Sequence, residues 1–238
     1  MISNNSCLVR HEVEMSNDEK NKCRETYGDK MIKKKSSKTI RVVFQNVNGF
    51  LPVNGDDKKE LIRNFINDNR VDIFMMAEVN VNWKIVGVKE NLRSLTRKWF
   101  RNSRVAVAHN LLSGSKTPHQ PGGVSTIVAG DLSASVIKSH NDKRMMGRWT
   151  STTIRGRLNK ITRVVTVYVP CNSRTHGCKA VFSQQQAALL KSNIGKGVLK
   201  RFWMDFWSEV EEWRANGESL IIAGDWNRNI YDKNMQKN

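Results

Sequence analysis

The chain has 238 residues with 40 Lys and Arg against 22 Asp and Glu, and the formal charge of +18 points to polyanionic partners such as nucleic acid. Hydrophobic residues make up 39% and charged residues 26%, enough for a packed core and too little bias for global disorder, while no run nears the roughly 18 apolar residues of a membrane span. Four cysteines are too few for a disulfide framework and the opening segment lacks a signal peptide's apolar core, so secreted disulfide-rich and membrane classes are excluded and a soluble intracellular protein is expected, with a nuclear location favoured.

Residues 1–38 alternate charged and polar side chains without a sustained apolar period and end in Lys33-Lys34-Lys35-Ser36-Ser37-Lys38, which predicts a disordered basic arm. The folded domain is expected over residues 39–238. It opens with Ile40, Val42, Val43 and Phe44 as a strand, a Gly/Pro/Asn/Asp turn, then Leu61, Ile62, Phe65 and Ile66 at helical spacing. A second strand over residues 71–78 completes a βαβ unit. Residues 104–110, 123–129, 134–138, 149–155 and 161–169 follow as short β-rich runs with little helix between them, which predicts an antiparallel meander and a mixed sheet. Leu199, Phe202, Trp203, Phe206, Val210 and Trp213 then recur at three- and four-residue intervals, the mark of an amphipathic helix closed by Asn216-Gly217. Leu220 to Ala223 form a last short strand ending in Gly224-Asp225-Trp226-Asn227.

Polar groups cluster where these strands end: Asn46 and Asn48, Glu78, and Asp225 with Asn227. Carboxylates and amides gathered at neighbouring strand ends can ligate a hard cation, because Mg²⁺ takes oxygen ligands and few protein carboxylates. Taken singly, Asn-Gly and Asp-x-Asn are also ordinary turn chemistry, and Glu78 is also readable as a solvated strand end. Arg144, Arg148, Arg155, Arg157 and Arg163 cluster around Trp149, a mixture able to pair phosphates and stack on bases, or simply the solvated face of a basic sheet. Cys171 and Cys178 with His176 lack the spacing and second ligand pair of a zinc finger, and His109, His119 and His140 belong to no metalloprotease or triad pattern.

Five segments in order carry a resemblance. Phe44-Gln45-Asn46-Val47-Asn48-Gly49-Phe50, Ala77-Glu78-Val79, Gly122-Gly123-Val124, Thr166-Val167-Tyr168-Val169-Pro170 and Ile221-Ile222-Ala223-Gly224-Asp225-Trp226-Asn227 look like successive motifs of the endonuclease/exonuclease/phosphatase superfamily. The nearest likeness is to the apurinic-type endonuclease domains of non-LTR retrotransposons. The resemblance implies an α/β fold of the DNase I type, a four-layer sandwich of two mixed β-sheets between helices. It implies a Mg²⁺- or Mn²⁺-dependent phosphodiester hydrolase, a DNA endonuclease, with Glu78 and Asn46 at the metal. Asp225 would serve the attacking water, Tyr168 would hydrogen-bond the scissile phosphate and Asn227 would donate to its oxygens. Nucleic acid would be held by Arg144, Arg148, Arg155 and Asn48, the last standing where abasic-site repair enzymes carry an aspartate.

The family's closing motifs, a Ser-Asp pair and an Asp-His, have no counterpart after Asn227, so the sequence reads as truncated at its C-terminus with an incomplete second sheet. The alternatives are an inactive remnant binding nucleic acid by charge, a phosphatase or phosphodiesterase for a small phosphate ester on the same fold, and a nucleic-acid-binding protein of unrelated fold.

Overall fold

In the computed structural model, which describes residues 35–36, 38–50, 57–87, 91–114, 116–171, 180–195 and 197–227, the expected βαβ unit opens the domain. β1 (Val42–Asn46) and β2 (Ile73–Ala77) pair in parallel, with Val42 opposite Ile73 and Asn46 opposite Ala77. A parallel pair needs a crossover, and α1 (Asp57–Asp68) supplies it by burying Ile62 and Ile66 in the cluster that holds Val43, Phe74 and Met76.

β3 (Ser103–Ala108) and β4 (Val124–Ala129) complete this sheet in the order β1-β2-β4-β3, with β4 antiparallel to both neighbours. The single meander expected from the sequence is corrected at this point. Every residue of β4 is buried, which suits a central strand covered on both faces, and β4 inserts between β2 and β3. The chain then turns through a 3-10 segment at Gly130–Ser135 and starts a second sheet. There β5 (Val136–Asn141), β6 (Trp149–Arg155) and β7 (Ile161–Tyr168) run antiparallel, and β8 (Ser219–Asp225) joins β7 in parallel.

Two helices fall in stretches with no helix expected. In α2 (Leu92–Trp99), the Asn91 side chain caps the first turn by accepting from Ser94 N at 2.9 Å, and Leu92 is buried beneath it. α3 (Val181–Lys191) is rich in Gln, Ala and Leu, all good helix formers. The aromatic helix appears as read from its period: α4 (Val198–Ala215) buries Phe202, Phe206, Val210 and Trp213 in one cluster with Trp149, Val165 and Val167.

The result is a four-layer α/β sandwich of two mixed sheets. α1 and α2 cover the outer face of the first sheet, and α4 covers the outer face of the second. Between the sheets, Ile73, Met75 and Val128 meet Ile154 and Val164, and the buried hydroxyls of Thr126 and Thr166 share a hydrogen bond of 2.6 Å. Most of the basic arm over 1–38 lies outside the described residues. Of those described, Lys35 forms an ion pair with Asp72 just ahead of β2.

Candidate functional site

Strand alternation delivers the polar groups to one place. On β7 it puts Val165 and Val167 in the cluster with α4 and turns Val164, Thr166 and Tyr168 toward the first sheet. On β1 it turns Val42 and Phe44, and Asn46 beyond them, toward the second sheet. β7 and β8 are parallel with Tyr168 opposite Asp225, so the C-terminal ends of β1, β2, β7 and β8 meet at one rim of the sandwich.

Two hydrogen bonds join the sheets there. Asn46 Nδ2 donates to Asp225 Oδ2 at 2.8 Å. The Tyr168 hydroxyl donates to the Glu78 carboxylate and accepts from the Asn227 side chain. Asn227 Nδ2 also donates to Val169 O at 2.6 Å, and Asn227 N donates to Asp225 Oδ1 at 3.0 Å. Four expected residues, Asn46, Glu78, Tyr168 and Asp225, are thus brought together, and Asn227 braces two of them.

Burial, then the charge of Glu78, pushes the Tyr168 phenol well above its ordinary range. The folded state therefore keeps a proton that the unfolded chain gives up near pH 10, so stability falls as pH rises beyond about 10. In a spectrophotometric alkaline titration, Tyr168→Phe is expected to leave the tyrosinate signal unchanged until the protein unfolds. A smaller signal in the variant at moderately alkaline pH would show that Tyr168 ionises in the folded state.

Glu78 reaches the rim by breaking the strand period. Met76 lies in the cluster with α1 and Ala77 in the cluster with Tyr168, so simple alternation would return Glu78 to the α1 side. Its backbone instead turns left-handed, φ 51°, and the carboxylate meets Tyr168. The turn is held by its own backbone: Gly49 N donates to Glu78 O at 2.6 Å, and Val79 N and Asn80 N donate to Gly123 O and Gly122 O. Gly123 must be glycine, since a Cβ would sit 2.9 Å from Ala108 O at a φ of +79°.

Two residues not singled out from the sequence complete the frame. Lys58 Nζ donates to the carbonyls of Val47, Asn48 and Gly49 at 3.0, 3.1 and 2.9 Å, engaging all three ammonium protons on the loop that carries Asn46. Burial lowers its pKa. A lysine in a helix's first turn opposes the helix dipole, and that mismatch was the available sequence signal. Asn80 Oδ1 accepts from Gly122 N at 2.7 Å, tying the glycine pair to the end of β2. Lys58→Met should lower stability by about 1–3 kcal/mol, because two part-buried carbonyls and one exposed one lose a charged donor. An unchanged urea midpoint would show that the clamp contributes nothing.

Glu78, Asp225 and the Asn46 amide oxygen form an oxygen-only donor set. Asn46 Oδ1 accepts one bond, from Asn48 N at 3.0 Å, and keeps a lone pair. Among the described residues no three His, Cys, Asp or Glu side chains converge. Two carboxylates with an amide suit Mg²⁺, which retains several waters, better than a zinc or calcium cage.

The expected nucleic-acid contacts do not stand together. Asn48 is exposed at the rim with φ 44°. Arg155 is exposed at the end of β6, and Arg144 Nε donates to Asp205 at 2.6 Å. Arg148 is 1% exposed, paired with Asp142 at 3.1 Å and Asp205 at 3.0 Å and lying over the Trp149 ring at 4.4 Å. Its guanidinium is placed inside the fold, not on a phosphate-facing surface. Cys171 is a free, exposed thiol, while Cys178 and His176 lie outside the described residues.

No family model matches the chain, and no curated protein matches it. Solved structures do. An endonuclease/exonuclease/phosphatase family protein from Leptotrichia buccalis matches at 14% identity and TM-score 0.49 over 83% of this chain and 71% of its own. An AP endonuclease from Archaeoglobus fulgidus matches at 15% identity and TM-score 0.48 over 79% of this chain and 58% of its own. The 3′ phosphatase NExo from Neisseria, bound to a product DNA hairpin, matches at 17% identity and TM-score 0.44 over 82% and 60%. This chain therefore spans less than two thirds of the last two.

Proposed function

We propose that the chain is a divalent-metal-dependent phosphodiester hydrolase acting on DNA, an endonuclease of the retroelement type. The observation that carries this reading is the meeting of Asn46 with Asp225 and of Glu78 with Tyr168 at the rim where the two sheets join. The net charge of +18 supports a nucleic-acid substrate, since diffuse positive charge favours a polyanion over a small ester. The Asn46-Val47-Asn48-Gly49 opening supports the retroelement type.

A Mg²⁺ held by Glu78 and the Asn46 amide oxygen would offset the charge developing on the phosphoryl oxygens. The chain's own groups do the rest. Each Asp225 oxygen accepts one hydrogen bond and keeps a lone pair for the proton of an attacking water, which it orients in line. Tyr168 stays protonated, and its one O–H, donated to Glu78 in the free chain, would turn to a phosphate oxygen when the substrate is bound. Asn227 gives its amide protons to Val169 O and Tyr168, so its part is to fix the phenol.

The test is nicking of supercoiled plasmid by the full chain in Mg²⁺. Nicked circles that vanish with chelator and with Glu78→Ala are expected. Nicking no greater than that of the Glu78→Ala control would sink the proposal.

A further inference from the structure

A cavity of about 360 Å³ opens beside the site, lined by Asn82, Lys84, Ile85, His109, Asn110 and Leu111 with Ser113, Gly114 and Lys116. Its size falls at the small end of pockets that take small organic ligands, roughly 300–1,000 Å³. Its position follows from register. Ala77, the residue before Glu78, pairs with Val124, and Val124 pairs with Ala108, the residue before His109. His109 therefore stands at the same sheet end as Glu78, two strand spacings away, or about 10 Å. The loops forming the cavity are tied to the site's frame, with Asn82 N donating to Pro118 O and Gln120 N to Asn80 O.

The lining is amphipathic. Ile85 and Leu111, 41% and 46% exposed, offer apolar wall, and Lys84 and Lys116 bring positive charge. Two buried polar atoms of the lining have no hydrogen-bond partner among the described residues: Asn110 Nδ2, on a residue 4% exposed, and His109 Nε2. Asn110 Oδ1 is engaged by Leu112 N at 3.0 Å, which fixes the amide and leaves its donor end unmet. Burial, then the neighbouring Lys84, lowers the His109 pKa, so the imidazole is neutral near pH 7 and can act as donor or acceptor. Unmet buried polar groups are costly, and a ligand with donors and acceptors on its edge removes that cost.

We propose that this cavity binds the base of an unpaired nucleotide next to the scissile phosphodiester, with Asn110 and His109 on the base edge, Ile85 and Leu111 against its face, and Lys84 and Lys116 toward its phosphates. A flat ring with a polar edge and a phosphate tether is the ligand that matches apolar wall, unmet amide and lysines at once. An amide side chain is a fitting reader of a base edge, and base extrusion is the general route by which a base becomes accessible. The substrate part of this inference rests on the hydrolase reading above.

The experiment titrates the full chain with each of the four deoxynucleoside 5′-monophosphates and with inorganic phosphate, followed by calorimetry. At least one nucleotide is expected to bind about tenfold more tightly than phosphate. Leu111→Ala, at a half-exposed position, and Asn110→Asp, which keeps the oxygen engaged by Leu112, are each expected to weaken it by about tenfold. Equal affinity for phosphate and every nucleotide would overturn the proposal by reducing the site to charge, as would nucleotide binding unchanged in both variants. Glu78→Ala separates the two readings, because it should leave nucleotide binding intact. Nucleotide binding without nicking would fail the hydrolase reading and uphold the cavity, and nicking without nucleotide binding would overturn the cavity alone.

Discussion

Asp225→Asn is expected to cut nicking by roughly 10²–10⁴-fold, the range contributed by a positioned general base, with little change in stability. The substitution keeps the side chain's volume and the oxygen that accepts from Asn227 N, and it removes the charge that would draw a proton from water in the proposed hydrolysis. On the opposite face, where Asn46 Nδ2 donates, one hydrogen bond is lost at a cost of about 1 kcal/mol, because the Asn46 oxygen stays engaged by Asn48 N. Rate and melting temperature should be measured on the same preparation. A rate within a factor of a few of the parent would remove Asp225 from the chemistry and leave it a structural bridge between the sheets.

Arg148→Met should have the largest effect on stability, about 3–5 kcal/mol, because it strands the Asp142 carboxylate in the interior. Asp142 is 1% exposed and depends on Arg148 for its ion pair, whereas Asp205 keeps Arg144 and Arg201. In a domain of this size that loss lowers the melting temperature by roughly 6–20 °C. A DNA-contacting arginine would behave differently, weakening binding and its salt dependence while leaving the melting point in place. Unaltered melting with weakened DNA binding would return Arg148 to the nucleic-acid surface.

The contrast between these residues explains what could be read from the sequence. Strands with a clean two-residue period and helix α4 with its aromatic repeat declare themselves locally, and β6 over Trp149–Arg155 has the bounds read for it. α3 carried a signal in its Gln, Ala and Leu run, but no Gly or Pro marks its start sharply. The arginine cluster looked solvated because its partners are remote: Asp205 lies 57 positions from Arg148. The same distance hides the bridge between Asn46 and Asp225, 179 positions apart. The five ordered motifs located the rim residues, yet the Lys58 clamp shows only as a charge opposed to its helix dipole and the reversal at Glu78 is not legible, because both depend on where carbonyls point after folding.

That reversal sets stability and chemistry at odds within one residue. A left-handed backbone costs a branched or long side chain about 1–2 kcal/mol that glycine escapes. Glu78 bears this cost at φ 51° while presenting its carboxylate to Tyr168. If the rim carries the proposed hydrolysis, a lineage selected for durability alone would drift toward glycine or asparagine at position 78, becoming hardier as it fell silent. The residue found there in any descendant is thus a record of whether the rim was still under demand.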